Sequence, residues 1–319
     1  KRQGINGQDG SYLSEFLLSK NYEVHGILRR NSVSENQTYR LQNIFDKLKL
    51  HYGDLTDIVS LCEILKAVQP DEIYNLAAQS HVKISFEQPI LTSNVTGVGF
   101  LNLLESIKIT NLKSKIYQAS SSEMFGNSID HDGFQRESTQ MNPVSPYGCS
   151  KLFAYNLAKN YRNSYGMFIS NGILFNHESP RRGTNFVTNK VCKEAVKIKL
   201  GLSNELKLGN LNSTRDWGHA KDYVKAMWEI LQLQTPDDFV CSTGISHSVK
   251  ELVEYVFKKL DLEWTEYVKP DKKFLRPEEL NDLKGDSSKL TKFTGWVPVY
   301  SFESMLSLIH ISEPTRPER

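Results

Sequence analysis

The sequence predicts an α/β fold, a Rossmann-like doubly wound parallel sheet followed by a smaller C-terminal α/β lobe. Short β-rich runs alternate with amphipathic stretches through the first half of the chain, which is the pattern of βαβ units. The β-rich runs end in polar residues, and a glycine-rich segment stands near the start. A chain of 319 residues is long enough to bury the core of an enzyme.

The predicted elements follow in order along the chain. Strands are predicted over 22–28, 48–53, 72–77, 115–120 and 168–175. Apolar residues at three- and four-residue spacing predict helices over 11–18, 61–65, 95–104 and 146–165, and in the less regular second half over 187–200, 220–231 and 249–260. In an open parallel sheet, ligands bind outside the carboxyl ends of the strands, so the polar residues there are candidate site residues.

We expect two domains. Residues 1–175 are predicted to form the Rossmann domain and residues 176–308 the second lobe, with some later segments returning to the first domain. The stretch 302–306 has a helical pattern, whereas residues 309–319 lose it and are predicted to be a non-native or disordered tail.

Composition excludes several classes of protein. With 39 Lys+Arg against 37 Asp+Glu, the chain has no charge bias towards nucleic acid. No apolar run approaches the roughly 18 residues that span a bilayer, so no membrane partner is expected and a soluble, cytoplasmic protein is predicted. The cysteines lie too far apart for a disulfide framework or a zinc site and are interpreted as reduced packing residues; they are Cys62, Cys149, Cys192 and Cys241.

A glycine-rich loop provides the first functional signal. Gly4, Gly7 and Gly10 form a G-x-x-G-x-x-G run that leads directly into an amphipathic helix. Glycines let the backbone approach a pyrophosphate, and a helix N-terminus offers free N–H groups to that anion. The run therefore indicates a dinucleotide site, the alternative being a plain surface turn.

The strand ends indicate which dinucleotide binds. Asp54 follows the second predicted strand and suits an adenine contact, whereas Arg29 and Arg30 end the first. Arginine suits a 2′-phosphate, so NADP is favoured over NAD, unless the arginines merely solvate a strand end. A dinucleotide loop normally follows a strand of about five apolar residues, but Lys1-Arg2-Gln3 precedes Gly4, so a gap between the two halves of the sheet is expected.

A catalytic set follows in the middle of the chain. Tyr147 and Lys151 are four residues apart in a predicted helix and therefore share one face. A nearby ammonium is expected to lower the pKa of the tyrosine, which could then accept a hydroxyl proton. Ser121 and Glu123 follow the strand over 115–120. A simple alcohol dehydrogenase needs no carboxylate there, so Glu123 indicates a further proton transfer; the alternative is a capping or solvated carboxylate.

Together these features resemble the extended short-chain dehydrogenase/reductase superfamily, and within it the GDP-mannose 4,6-dehydratase family. The matching segments are GQDGSYL at 7–13, HYGDLTD at 51–57, YQAS at 117–120, NGILFNHESPRRG at 171–183 and RDWGHA at 215–220. The resemblance implies a lyase that forms GDP-4-keto-6-deoxymannose and supplies GDP-deoxysugars such as GDP-fucose or GDP-rhamnose. It also implies a homo-oligomer, a dimer or tetramer, in which the loop up to Gln37 reaches the cofactor of a neighbouring subunit.

The resemblance also implies roles for individual residues. Tyr147, aided by Lys151, takes the O4 proton while NADP+ takes hydride from C4; Glu123 removes the C5 proton, water leaves from C6, and hydride returns there. Ser121 stands where the family usually has threonine. The cofactor contacts implied are Gly4, Asn6, Gly7, Gln8, Asp9, Gly10, Arg29, Arg30, Asp54, Leu55, Leu76, Ala77, Ala78, Ser80, Tyr147, Lys151, His177 and Arg182. The substrate contacts are Ser80, Glu123, Asn176, Lys190, Arg215, Arg276 and Glu279, and no metal is implied.

Other interpretations stay open at this point. The chain departs from the family at Leu91, Phe125 and Asn189, which bears on affinity more than on the type of reaction. Each cation of the sugar lobe could be a plain surface charge, and Trp217 and Tyr223 are interpreted as core rather than base-stacking residues. The alternative functions are another nucleotide-sugar dehydratase, epimerase or reductase, or a nucleotide-binding homologue with impaired turnover.

Overall fold

The computed structural model describes residues 2–30, 38–275 and 277–311. Arg276 and the predicted intersubunit loop over 31–37 lie outside the described residues. The strands are β1 (Arg2–Gln3), β2 (Val24–Leu28), β3 (Leu48–Tyr52), β4 (Glu72–Asn75), β5 (Ala78–Gln79), β6 (Lys115–Ser121), β7 (Ile169–Leu174), β8 (Asn176–Glu178), β9 (Leu206–Leu208), β10 (Thr214–His219), β11 (Asp238–Cys241), β12 (Ser246–Ser248) and β13 (Val268–Pro270).

Helices form at each predicted position, and four further short helices in the described residues, over 82–87, 89–93, 264–267 and 288–294, were not predicted. The helices are α1 (Gln8–Ser19), α2 (Ile58–Val68), α3 (Val82–Glu87), α4 (Pro89–Ser93), α5 (Gly99–Ile109), α6 (Pro146–Tyr165), α7 (Val187–Lys199), α8 (Ala220–Gln232), α9 (Val249–Lys258), α10 (Trp264–Tyr267), α11 (Ser288–Thr294) and α12 (Phe302–Ile311). A π-helical turn (Asn94–Val98) joins α4 to α5. The helix predicted over 146–165 forms with those bounds, since Ser145 caps its first turn and Gly166 ends it in the left-handed region.

The parallel sheet is divided into two parts. Four strands pair in the order β11-β7-β6-β4, and β2 pairs only with β3 within the described residues. A doubly wound sheet normally places its first strand between these parts. In this structure a cavity of about 1170 Å³ lies there, bordered by β2 on one side and β4 on the other.

Helices cover both faces of the four-stranded sheet, as the predicted fold requires. On one face α1 and α8 pack against β6 and β11 through residues such as Leu17, Met227 and Phe239. On the other face α2, α5 and α6 enclose Leu61, Leu104 and Ala158. This three-layer arrangement confirms the fold class predicted from the alternating pattern.

The second lobe forms its own core and also returns strands to the main sheet. Its core joins α7, α9, β9 and α12 around residues such as Trp217, Phe257 and Leu306. Strand β11 pairs with β7 in the four-stranded sheet, while β8, β10 and β12 form a separate sheet. The division at residue 175 stays a prediction.

Two expectations are wrong, those for the last helix and for Cys149. Helix α12 continues to Ile311, and Ile309 is fully buried in the second core, so the prediction that helical structure ends before Ile309 is wrong; residues 312–319 lie outside the described part. The cysteines are all free, but Cys149 is exposed and so is not a packing residue. Within the described residues, no helix combines the length and apolar character that crossing a membrane requires.

Candidate active site

The glycine loop leads into α1 with the geometry of an anion site. The N–H of Gly7 donates to the carbonyl of Gly4 (2.9 Å), and Gly7 caps α1 without any side-chain hydrogen bond to the first turn. A Cβ on Gly10 would stand 2.3 Å from the carbonyl oxygen of Gly4, so only glycine fits at this position. Ile5 packs against Gly26 of β2. The loop thus keeps the first N–H groups of α1 free of side-chain caps, which suits a pyrophosphate.

Arginines stand around this loop, as the predicted preference for NADP requires. Arg29 and Arg30 follow β2 and are exposed, and Arg30 lies over the ring of Tyr52, 5.5 Å from its centroid. Arg40, which the sequence interpretation missed, donates from Nε to the carbonyl of Arg181 (2.8 Å) and from Nη1 to that of Asn6 (3.3 Å). Arg40 follows the loop over 31–37, and nothing in its local pattern distinguishes it from a surface residue.

The other implied cofactor residues lie at the carboxyl ends of β3 and β4. Asp54 follows β3 and accepts hydrogen bonds from both the N–H and the hydroxyl of Thr56. The residues that line the cavity near the glycine loop include Arg29, Asp54, Leu55, Leu76, Ala77, Ser80 and Arg182. Ala78 lies in β5, which pairs with β1 rather than with the main sheet.

The catalytic candidates converge at the carboxyl end of β6. Ser121 ends the strand, and its hydroxyl accepts the N–H of Glu123 (3.3 Å), which lies in the short 3₁₀ turn Ser122–Met124. Gly148 of α6 packs on this turn so closely that a Cβ would stand 2.7 Å from the carbonyl of Glu123. The side chains of Ser121, Glu123, Tyr147 and Lys151 are each at most 9% exposed. The structure therefore brings all four together in a buried position beside α6.

Tyr147 and Lys151 share a helix face, but their electrostatic relation differs from the prediction. The Lys151 ammonium lies 5.8 Å from the centroid of the Tyr147 ring and donates to the carbonyl of Ala119 (2.6 Å). Burial raises the pKa of Tyr147, a hydrogen bond with Ser121 lowers it, and the charge of Glu123 raises it further. The prediction that the ammonium of Lys151 gives Tyr147 a lowered pKa is thus wrong for this structure. Burial also lowers the pKa of Lys151 itself to about 8.

The implied sugar-lobe contacts come from several elements. Asn176 lies in β8, and Arg215 in β10 is buried and donates to the carbonyl of Thr214 (2.6 Å). Lys190 on α7 donates to the carbonyl of Lys207 (2.6 Å) and lies 3.4 Å from the centroid of the Phe274 ring. Burial lowers the pKa of this lysine. Phe274 precedes the undescribed Arg276 by two residues, so Lys190 contacts the segment that carries that arginine.

The segment 279–285, which we call the bridging segment, connects the catalytic turn to the sugar lobe. Asn127, four residues after Glu123, donates to the carbonyl of Glu279 (3.1 Å) and accepts the N–H of Asn281 (3.1 Å). On the other side, the N–H groups of Thr214 and Asp216 donate to the carbonyls of Asn281 and Leu283. The residues flanking Arg215 and the turn that holds Glu123 are therefore tied to the same piece of chain.

One further residue near the site, Lys83, was not predicted from the sequence, and two others, Phe125 and Asn189, depart from the family pattern. Lys83 on α3 lies over the Phe274 ring, 5.5 Å from its centroid, and donates to the carbonyl of Lys273. Phe125 and Tyr223 are fully buried and Trp217 nearly so, which confirms the core interpretation of Trp217 and Tyr223. Asn189 is also buried, and its amide donates to the carbonyl of Arg182 (2.7 Å). The large cavity reaches the glycine loop, but none of the catalytic candidates lines it.

Comparison with known proteins agrees with this geometry. The family model described as GDP-mannose 4,6 dehydratase matches residues 3–309. The chain belongs to the GDP-mannose 4,6-dehydratase family. GDP-mannose 4,6 dehydratase 1 of Arabidopsis thaliana is 49% identical over 96% of this chain and 87% of its own. The human GDP-mannose 4,6 dehydratase is 46% identical over 96% of this chain and 89% of its own.

Solved structures share the fold of this family member. RMD from Pseudomonas aeruginosa, solved as a complex with NADPH, superposes with a TM-score of 0.80 at 22% identity and covers 97% of each chain. At that identity the likeness shows the fold alone. The family expected from the sequence is confirmed, and the roles of single residues rest on the geometry described above.

Proposed function

We propose that this chain converts GDP-mannose to GDP-4-keto-6-deoxymannose and water with NADP as its cofactor. The observation that carries the proposal is the position of Glu123, a buried carboxylate that is held beside Ser121 and Tyr147 at the carboxyl end of β6. A hydroxyl oxidation needs only the tyrosine and lysine, whereas eliminating water needs a base at the neighbouring carbon as well.

The residues divide the proton transfers between them. Ser121 donates a hydrogen bond to the sugar O4, and Tyr147, as its tyrosinate, takes the O4 proton as the C4–H bond breaks. The resulting 4-ketone acidifies the C5–H; the Glu123 carboxylate removes that proton while the C6–O bond breaks, and Tyr147 gives the proton from O4 to the departing hydroxide, which leaves as water. Glu123 returns its proton to C5 when C6 is reduced, so both side chains regain their starting state. The glycine loop would hold NADP, which would supply the hydride acceptor for C4 and the hydride donor for C6, so no net oxidation would occur.

The glycine loop and its arginines fit NADP. Gly10 leaves room that a Cβ would fill, and the uncapped first turn of α1 suits the pyrophosphate. Arg29 and Arg30 stand where a 2′-phosphate would need a cation. The residues present therefore suit the larger, phosphorylated dinucleotide.

The nucleotide-sugar diphosphate would bind in the second lobe. Arg215 and Lys190 supply cations there, and arginine does not lose its proton in a protein. Asn176, Glu279 and Ser80 supply polar contacts around them. Arg276 belongs to this proposed set on the strength of the sequence alone.

A homo-oligomer forms part of the proposal. Apolar side chains are exposed on α4, the π-helical turn and α6, and Phe153 on α6 lies directly over Gly97. The exposed fractions are 73% for Ile90, 38% for Leu91, 41% for Val98 and 45% for Phe153. A second copy of this face would cover them, which favours a dimer. A cytoplasmic location is also proposed, since the four cysteines are free.

One incubation tests the proposed reaction. The protein is mixed with GDP-mannose and NADP+, and the products are weighed by mass spectrometry. We expect a product lighter by one water and no net NADPH. Loss of water from a UDP- or dTDP-hexose instead would favour another nucleotide-sugar dehydratase, and no loss of water from any of these sugars would contradict the enzyme interpretation.

A further inference from the structure

His177 is a buried histidine whose two ring nitrogens both face acceptors. Its Nδ1 lies 2.8 Å from the carbonyl oxygen of Phe175, and its Nε2 lies 3.0 Å from a carboxylate oxygen of Asp9. A carbonyl oxygen can only accept a hydrogen bond, and so can an ionised carboxylate. Both nitrogens must therefore carry a proton, which makes the ring an imidazolium.

We propose that His177 is a positioning residue that, as an imidazolium, clamps Asp9 of the glycine loop to the end of β7 and cancels the charge of Asp9 beside Tyr147 and Lys151. This inference rests on the proposed function for its catalytic consequence only. It replaces direct cofactor contact, which the family resemblance implies for His177, with a role exerted through Asp9.

The surroundings hold the pair in one arrangement. His177 is 8% exposed and stacks on Tyr223, with ring centroids 4.5 Å apart. Gln8 donates to Asp9 (3.0 Å) and to the carbonyl of His177 (3.1 Å), and it accepts the hydroxyl of Ser179 (2.7 Å). Neither the ring nor the carboxylate can turn away without breaking several of these bonds.

The electrostatic balance agrees with a charged ring. Burial alone lowers the pKa of His177, but the charge and hydrogen bond of Asp9 raise it above 6.5 in the end. Burial raises the pKa of Asp9, yet His177 brings it down to about 2. The titratable and charged groups that face the pair are Arg182 after β8, His219 on β10, Tyr223 on α8, Tyr117 on β6, and Tyr147 and Lys151 on α6.

His219 provides a contrast within the same region. Its Nδ1 accepts the N–H of Lys221 (3.1 Å), so this nitrogen carries no proton. Burial, together with the charges of Lys221 and His177, lowers the pKa of His219 to about 4. One buried histidine is thus charged and its neighbour neutral, because only the first faces a carboxylate.

The ion pair between Asp9 and His177 affects the pKa values of Tyr147 and Lys151. Asp9 raises the pKa of both Tyr147 and Lys151, although burial dominates each shift. With the imidazolium in place, that carboxylate is part of a neutral pair and acts weakly at a distance. Without it, the negative charge of Asp9 is uncompensated and disfavours the tyrosinate that accepts the O4 proton.

The protonation state is tested first, without substrate or cofactor. Imidazole ¹⁵N chemical shifts of the full chain are recorded from pH 6 to 8, with His177 assigned by its absence in His177→Gln. We expect the imidazolium pattern for His177 throughout and the neutral pattern for His219. In Asp9→Asn the new amide can donate to Nε2, so His177 should become neutral. The resulting change in its ¹⁵N shifts also assigns the His177 signals if His177→Gln does not fold. A neutral His177 at pH 7 in the unmodified chain would overturn the proposal.

The pH profile of kcat/KM tests the catalytic consequence. His177→Gln should move its rising limb to higher pH by about one unit. The double variant Asp9→Asn/His177→Gln should bring the limb back to within about 0.3 units of the unmodified chain, because no charge is left to compensate. A uniform loss of activity in His177→Gln with an unmoved limb would mean that His177 is merely structural. If no variant turns over GDP-mannose but the ¹⁵N shifts are as expected, the proposed function fails and the clamp stands.

Discussion

The two parts of the divided sheet hold their functional residues in different ways. Strand β6 pairs with β4 on one side and β7 on the other, and its residues from Ile116 to Ser121 are buried. Strand β2 pairs only with β3 in the described chain, its other edge borders the cavity, and Tyr52 at the end of β3 is 66% exposed. The turn that holds Glu123 thus follows a strand that is paired on both sides. The glycine loop instead follows β1, which pairs with β5 within the described residues, and it packs against the edge of β2.

We therefore expect different means of support for the cofactor loop and for the proposed catalytic residues, with Asp9 as the residue that couples them. The proposed catalytic residues are fixed by sheet pairing and by the close packing of Gly148 on the turn that holds Glu123. The glycine loop is fixed by side-chain bonds instead, through Gln8, His177 and Arg40. Changes at β6 and α6 should therefore affect turnover, and changes near the cavity should affect NADP binding and stability.

The largest effect is expected for Tyr147→Phe. The variant loses the group that accepts the O4 proton, so turnover should fall by about 10³-fold or more while the dissociation constant for GDP-mannose stays within about threefold. Product mass measures the first and calorimetry the second. Retained turnover would remove Tyr147 from the mechanism.

The second largest effect on turnover is expected for Glu123→Gln. The amide keeps the size of the side chain but cannot take the C5 proton, so loss of water should slow by about 10²–10³-fold. Hydride transfer from C4 should survive because it depends on Tyr147; with GDP-mannose deuterated at C4, it is measured as deuterium in the reduced cofactor. An unchanged rate of dehydration would favour the epimerase interpretation, which needs no base at this position.

Gly10→Ala tests the cofactor side of the comparison. The added methyl would stand 2.3 Å from the carbonyl oxygen of Gly4 and would displace the loop from α1. Overpacking of this kind costs about 1–3 kcal/mol, so both the free energy of unfolding and NADP affinity should fall. The control is Gly4→Ala, whose Cβ would meet its nearest atom at 3.5 Å, and whose stability should change little. Equal losses in both variants would contradict the steric argument.

The smallest effect is expected for Arg29→Ser and Arg30→Ser. Each removes an exposed cation, so the ratio of NADP to NAD affinity should fall by about tenfold or less. Titration with both dinucleotides measures the ratio for each variant. An unchanged ratio in both would mean that these arginines only solvate the end of β2.

The sequence predicted most of the fold because periodicity and strand ends are local properties. The bounds of α6, the position of β6 and the placing of Ser121 and Glu123 at its carboxyl end, near Tyr147 and Lys151, follow from such patterns. The raised pKa of Tyr147 could not be predicted, since it depends on burial and on which carbonyl Lys151 contacts. Arg40, Lys83 and Asn127 were missed because their partners are more than thirty residues away along the chain.

The bridging segment gives the sugar site a further property. Its bonds to Asn127 on one side and to Thr214 and Asp216 on the other form as the chain folds. The buried carboxylate of Asp216 reinforces them by accepting N–H groups from Thr243, Gly244 and Gly285. The conformational entropy needed to align Arg215 with Glu123 is thus lost during folding rather than on binding, so the proposed GDP-mannose site is preorganised.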